Sequence, residues 1–239
     1  MRTKDGIGIR GELLLIFFYF FFMMADNNIS IVLNILKKQY KGKTMLGSFT
    51  DKSPFQILIA TTLSARSRDE QTIKVVEKLF PLFPTPEKLA KADITLLEKL
   101  VKKTGFYHVK ARRIKELSQF LLDNHDGIVP DIMDKLVALP GVGRKTAGCV
   151  LVYAFGKSAI PVDTHVHRIS NRLGWVNTKQ PEETEQELLR IVPKQYWTLV
   201  NEVFVLHGQN ICKPITPYCE VCPVKKYCEH GIEQSQRSI

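Results

Sequence analysis

Apolar positions recur with a helical period along most of this chain. Ile73, Val75, Val76, Leu79 and Phe80 mark one face of a helix over 70–80, with Asp69 placed to cap it. A second stretch, 109–124, sets Ile114, Leu117, Phe120, Leu121 and Leu122 on one broad face. Ser53-Pro54 opens an apolar segment over 55–63, and Thr85-Pro86 pairs an N-cap with proline at the first helical position. Asp93 caps a further helix ended by Gly105. Helices are also predicted over 27–40, over 164–173 between Asp163 and Gly174, after Pro181, and over 195–207. No run alternates with the period of two that a half-buried strand requires, and there is no internal repeat or low-complexity linker. The predicted fold class is all-α.

One short stretch breaks the helical pattern, Leu139-Pro140-Gly141-Val142-Gly143-Arg144-Lys145-Thr146-Ala147. A short helix capped by Asp131 is predicted ahead of it, over 131–139, and another after it, over 145–155, closed by Gly156. Between them Gly141 and Gly143 allow a tight turn whose N–H groups face outward. A helix N-terminus adds partial positive charge, so the expected guest is a phosphate. Lys145, on the first turn, is either a plain charge for that phosphate or an activated nucleophile whose pKa the helix end lowers.

Composition narrows the partner. The 239 residues allow one or two domains, with 44 % hydrophobic and 24 % charged residues. A net charge of +10 favours a polyanion. Of five cysteines, Cys149 stands alone in an apolar helix as a small core residue. The other four form Cys212-x6-Cys219-x2-Cys222-x5-Cys228, a cluster rather than a spread disulfide framework. Such a set binds zinc or an iron–sulfur cluster.

Three of these features occur together in the right order. The segment from Leu139 to Lys145, then Val162-Asp163-Thr164-His165 eighteen residues from Lys145 to Asp163, then the four-cysteine pattern, resembles the endonuclease III family of DNA glycosylases. The resemblance runs over 27–228. It implies a two-lobed helix-hairpin-helix fold. A six-helix barrel lobe spans 47–157, an iron–sulfur lobe combines 24–46 with 158–239, and DNA lies across the groove between them. It implies a base-excision DNA N-glycosylase with abasic-site lyase activity that removes oxidised pyrimidines through a lysine Schiff base and β-elimination. Double-stranded DNA carrying damaged bases or abasic sites is the implied partner, and a cytoplasmic monomer the implied form.

Carried onto this chain, the resemblance makes Lys145 the nucleophile and Asp163 the carboxylate that stabilises positive charge at C1′. Asp163 is also placed to cap a helix, and N–H groups donated to a carboxylate stabilise its ionised form. Ser64, Arg66, Gly141, Val142, Gly143, Arg144 and His165 are candidates for DNA contact, and Lys213, Lys225 and Lys226 are further candidates on the cysteine loop. Cys212, Cys219, Cys222 and Cys228 are candidate ligands of a 4Fe–4S cluster. His165 and His167, two apart on a helix, point to different sides and make no metal pair.

Two positions depart from the family pattern. Arg66 stands where many bacterial members carry glutamine, a residue that fills the gap left by a flipped nucleotide, and Val137 stands where some relatives carry an acid. Two alternatives use the same motifs: a monofunctional mismatch or uracil DNA glycosylase, and a non-catalytic DNA-binding module.

The N-terminus stands apart. Residues 13–25 form thirteen uncharged, mostly apolar positions preceded by Arg10, a signal-peptide profile too short for a membrane span of roughly 20 residues. Secretion conflicts with an iron–sulfur site and a DNA-binding hairpin. The expectation is that residues 1–23 are an extension outside the native protein, which starts at Met23 or Met24, and that no segment serves a membrane.

Overall fold

A computed structural model of the chain describes residues 28–42, 44–49 and 51–237. The expectations for residues 1–23 lie outside them. Among the described residues the structure is helical with no strand. Helix α1 covers 28–39. It is followed by α2 (Pro54–Ser64), α3 (Asp69–Leu79), α4 (Pro86–Ala90), α5 (Ile94–Val101) and α6 (Tyr107–His125). Then come α7 (Met133–Val137), α8 (Arg144–Phe155), α9 (Thr164–Leu173), α10 (Pro181–Ile191), α11 (Trp197–Asn210) and α12 (Glu229–Arg237).

The apolar residues gather into two cores that meet at one peptide. Met45 through Ala159 build the first, from α2 to α8. Ile29, Val32, Leu33 and Leu36 of α1 join Ile160 through Val224 in the second. The chain passes from one core to the other between Ala159 and Ile160. Only four residues later it reaches Thr164, the first residue of α9. The start of α9 is therefore held at the junction of the two cores.

Several helix ends follow from their capping residues. The Ser53 hydroxyl accepts from Gln56 N–H while the Gln56 side chain accepts from Ser53 N–H, a reciprocal pair that starts α2 with Pro54 at its first position. Asp93 accepts from Leu96 N–H at 2.9 Å and starts α5. Gly156 and Gly174 close α8 and α9 in the left-handed conformation.

Two expected caps differ. Asp69 is the first residue inside α3, with Arg68 at the cap position and no side-chain bond there. Asp131 caps nothing; its carboxylate takes a 2.7 Å ion pair from Lys157, and α7 starts two residues later. In both cases a partner outside the element sets the boundary. The Asp69 carboxylate is shared with Gln209 of α11.

Helix α2 is buried on nearly every side, so it forms the middle of the first core. Its C-terminal end is tied to the start of α6 by a buried cation. Lys110, only 4 % exposed, donates to the carbonyls of Leu63 and Thr104, each at 2.8 Å. Burial, with Arg113 nearby, lowers its pKa to about 8. The bridge fixes two exposed residues that hold left-handed backbone angles, Arg66 (φ 52°) and Phe106 (φ 49°). The Arg66 guanidinium lies 6.0 Å from the centre of the Phe106 ring.

Phe204 is fully buried in the second core and packs against Trp175 with ring centres 5.4 Å apart. Phe204→Ala is expected to cost about 3–5 kcal/mol, through lost burial and the cavity left behind. Urea unfolding measures this, and a loss below about 1 kcal/mol means that the second core does not depend on this ring.

Candidate active site and cysteine cavity

The glycine turn between α7 and α8 is anchored from within. Val142 is 5 % exposed and part of the first core, and its N–H closes on the Leu139 carbonyl at 3.1 Å. Of the candidate DNA contacts, Val142 therefore presents backbone and not side chain. Gly141 has φ +72°, a conformation that side-chain-bearing residues rarely adopt, so the turn favours glycine there. Gly143 takes the cap position of α8 without any side-chain cap. The first intrahelical bond is Ala147 N–H to the Gly143 carbonyl, so the amides of Arg144, Lys145 and Thr146 open this helix without an intrahelical acceptor. Open amides at a helix start are a geometry that favours an anion.

Asp163 sits at the start of α9. Its Oδ1 accepts from the N–H groups of His165 and Val166, both at 2.9 Å. The starts of α8 and α9 open onto one cleft of about 540 Å³. Lys145, Asp163, His165, Ser64 and Arg66 all line it. Gly141, Val142, Gly143 and Arg144 lie outside its lining.

The cleft's electrostatics differ from the sequence expectation in sign. Lys145 lies above the ordinary lysine range rather than below it. The Cys149 sulfur one turn along is the largest cause, burial opposes it, and the Asp163 and Asp69 carboxylates raise the value further. Together, Cys149 and the two carboxylates outweigh burial. Cys149 itself is pushed up by full burial. Burial, ahead of every other influence, moves His165 below the ordinary histidine range. Its Nδ1 lies 3.1 Å from Nη2 of Arg168, a contact within the protein.

The other candidates are engaged locally. The Ser64 hydroxyl donates back to the Thr61 carbonyl at 2.8 Å. Arg144 makes a two-pronged pair with Glu185 of α10, Nε to Oε2 and Nη2 to Oε1, each 2.8 Å. His167 bonds Thr184 at 2.6 Å, a structural contact.

Several lining residues went unnoticed in the sequence. Cys149 and Tyr153 follow Lys145 at i+4 and i+8 and share its helix face, a signal the spacing does carry. The Tyr153 hydroxyl meets Asn201 Oδ1 at 3.5 Å, and Asn201 donates to the Pro161 carbonyl at 2.7 Å, which steadies the strand of chain entering Asp163. Asp69 and Asn201 come from remote helices, and no local pattern announces them.

The four cysteines line a second, narrow pocket of about 20 Å³, with Ile169, Leu173 and Val224 among its apolar neighbours. None forms a disulfide. Arg172 donates to Cys212 Sγ at 3.3 Å and to the carbonyls of Lys213 and Pro214, while Cys228 Sγ donates to the Arg172 carbonyl at 3.1 Å. His207 Nε2 lies 3.6 Å from Cys222 Sγ, and burial holds His207 down to about 4. As free thiols, Cys219, Cys222 and Cys228 are all pushed up by burial, Cys228 to about 11. A guest carrying positive charge is needed to ionise them. No three His, Cys, Asp or Glu among the described residues converge closely enough to hold one metal ion. All four thiols line one pocket, and four soft sulfur donors are a set that an iron–sulfur cluster and zinc both accept.

Comparison with known proteins agrees with this geometry. The profile of the HhH-GPD superfamily base excision DNA repair proteins matches residues 59–194. The endonuclease III of Thermotoga maritima is 51 % identical over 179 residues, 75 % of this chain and 84 % of that protein. A solved structure of a trapped endonuclease III–DNA covalent intermediate, an estranged-adenine complex, superposes with a TM-score of 0.81 at 36 % identity, covering 88 % of this chain and 98 % of that one. A thermostable thymine-DNA glycosylase superposes with a TM-score of 0.74 at 26 % identity, covering 86 % and 95 %. The chain belongs to the endonuclease III family of HhH-GPD base excision repair proteins, and it is a DNA glycosylase with abasic-site lyase activity.

Proposed function

We propose that the cleft between the starts of α8 and α9 removes an oxidised pyrimidine from duplex DNA, with Lys145 as nucleophile and Asp163 as its carboxylate partner. The observation that carries this is the convergence of the two residues, each at a helix start, on one cleft large enough for a flipped nucleoside. The outward amides of Arg144, Lys145 and Thr146 supply the phosphate grip. Arg66, exposed and held in a left-handed turn beside Phe106, is placed to fill the base stack that the flipped nucleotide vacates.

The chemistry then follows from the charges. Lys145 enters as the ammonium and must lose a proton before it attacks; the nearby carboxylate accepts it. Nζ bonds to C1′ as the glycosidic bond breaks, and the electron pair leaves with the base, which takes up a proton. The sugar ring opens to a protonated Schiff base. Loss of a C2′ proton then expels the 3′ phosphate. As the glycosidic bond breaks, the proton held by Asp163 passes to the departing base, and the carboxylate so restored stabilises the oxocarbenium-like sugar.

We further infer that Cys212, Cys219, Cys222 and Cys228 hold a 4Fe–4S cluster. When bound, it supplies thiolate–iron bonds that tie down the C-terminal loop, with no part in the bond-breaking steps. The two apolar cores support a division into a barrel lobe over 47–157 and a cluster lobe from 24–46 and 158–239. Among the described residues no helix is long and apolar enough to cross a membrane. A monomer acting on DNA in the reducing cytoplasm fits the unpaired cysteines.

Lys145→Gln is expected to abolish borohydride trapping on abasic-site DNA while sparing most DNA affinity. Substantial lyase activity in this variant would exclude Lys145 as nucleophile. Asp163→Asn keeps a capping side chain, yet base release should slow by roughly 10²-fold or more. Asp163 raises the Lys145 pKa. Its loss should therefore lower that pKa and move the pH midpoint of trapping on a pre-formed abasic site downward. A midpoint that stays put or rises counts against the pairing. The purified protein should be brown, with broad absorbance near roughly 400 nm from sulfur-to-iron charge transfer. A colourless protein with stoichiometric zinc, prepared without air, contradicts the cluster assignment.

A further inference from the structure

Two adjacent residues of α10 reach the two helices that open the cleft. Thr184 is fully buried and shares a 2.6 Å hydrogen bond with Nδ1 of His167 in α9. Glu185, 7 % exposed, takes the two-pronged pair from Arg144 at the start of α8. His167 is four residues past Asp163, and Arg144 is the residue before Lys145. The α9 contact is reinforced by Thr178, whose hydroxyl lies 2.6 Å from Thr184 Oγ1 and whose N–H donates to Asn171. The Arg144 contact crosses between the cores, because α8 packs in the first and α10 in the second.

Something has to hold these two helix starts in place. Helix α8 has twelve residues, so its start and end lie about 18 Å apart. The connection to α9 leaves from the far end, so the chain itself does not tie the start of α8 to the start of α9. Both starts carry partial positive charge and tend to separate. A buried carboxylate facing the first turn of α8 opposes that, and a planar two-pronged pair permits little sliding.

We propose that Thr184 and Glu185 are positioning residues that set the gap between Lys145 and Asp163. The proposal rests on those two residues being the reacting pair. It also gives Arg144 a different task from the DNA contact expected of it: its guanidinium is committed to Glu185 and holds α8, and no phosphate contact is needed to explain it.

The test uses the purified holoprotein and a duplex with one abasic site. Single-turnover trapping rates and DNA dissociation constants are measured at two salt concentrations for Glu185→Gln, Arg144→Gln and the double variant. Each single variant should trap more slowly by on the order of 10- to 100-fold, with affinity and salt slope unchanged. The double variant should lose no more than the worse single one, since both break one contact. Thr184→Val should also slow trapping at unchanged affinity. The proposal is overturned if Arg144→Gln traps at full rate from the bound complex but weakens binding and lowers the salt slope by about one ion. Losses that add in the double variant overturn it as well. Should Glu185→Gln fail to fold, Arg144→Gln, on a partly exposed side chain, decides alone. Lys145→Gln run alongside tests the reacting pair separately: trapping retained there removes the premise, whatever the α10 variants do.

Discussion

The Asp163 carboxylate is where the structure's demands meet. One of its oxygens accepts two backbone N–H groups and starts α9. The residue stands only three positions beyond Ile160, where the chain crosses from the first core into the second. It lines the same cleft as Lys145. Capping, core packing and cleft chemistry thus depend on one side chain, and the cap bonds fix where its charge lies. A group held this firmly needs little reorganisation as charge develops nearby, the usual source of electrostatic stabilisation of a transition state.

That arrangement bears on the amine. A helix start alone favours a neutral lysine, while Cys149 and the carboxylates facing Lys145 favour the ammonium, and the latter prevail. The cleft therefore favours the ammonium form of Lys145, and it keeps carboxylates beside that amine. Around this centre the fold uses buried polar contacts as ties between distant segments: Lys110 from α6 to α2, Asn201 from α11 to Pro161, Glu185 from α10 to α8. Each costs desolvation and is offset only where its partner is in place. Their concentration near the cleft matches a site that needs fixed geometry.

The C-terminal loop follows a different logic. Its carbonyls and one sulfur are gathered by Arg172, and three of its thiols are buried enough to resist ionisation alone. Exposed Ile215 and Val221 show how little apolar surface the loop buries on its own account. A segment of that kind gains its order from bonds to a bound group rather than from packing.

Local signals in the chain were enough for the helices, because a period of 3.6, capping by Ser53, Asp93 and Asp163, and closure by Gly156 and Gly174 act within a few residues. They were enough too to mark the glycine turn, the place of Lys145 in the cleft, and the gathering of the four cysteines around one pocket. Where a partner lies far along the chain, local reading failed or stayed silent. Asp131 turned to Lys157 instead of capping, Arg144 turned to Glu185 instead of standing free, and Asp69 and Asn201 joined the cleft from remote helices. The sign of the Lys145 shift belongs to the same class. A helix end is visible in sequence, but the charges facing an amine are set by which helices pack together, and only the tertiary structure decides that.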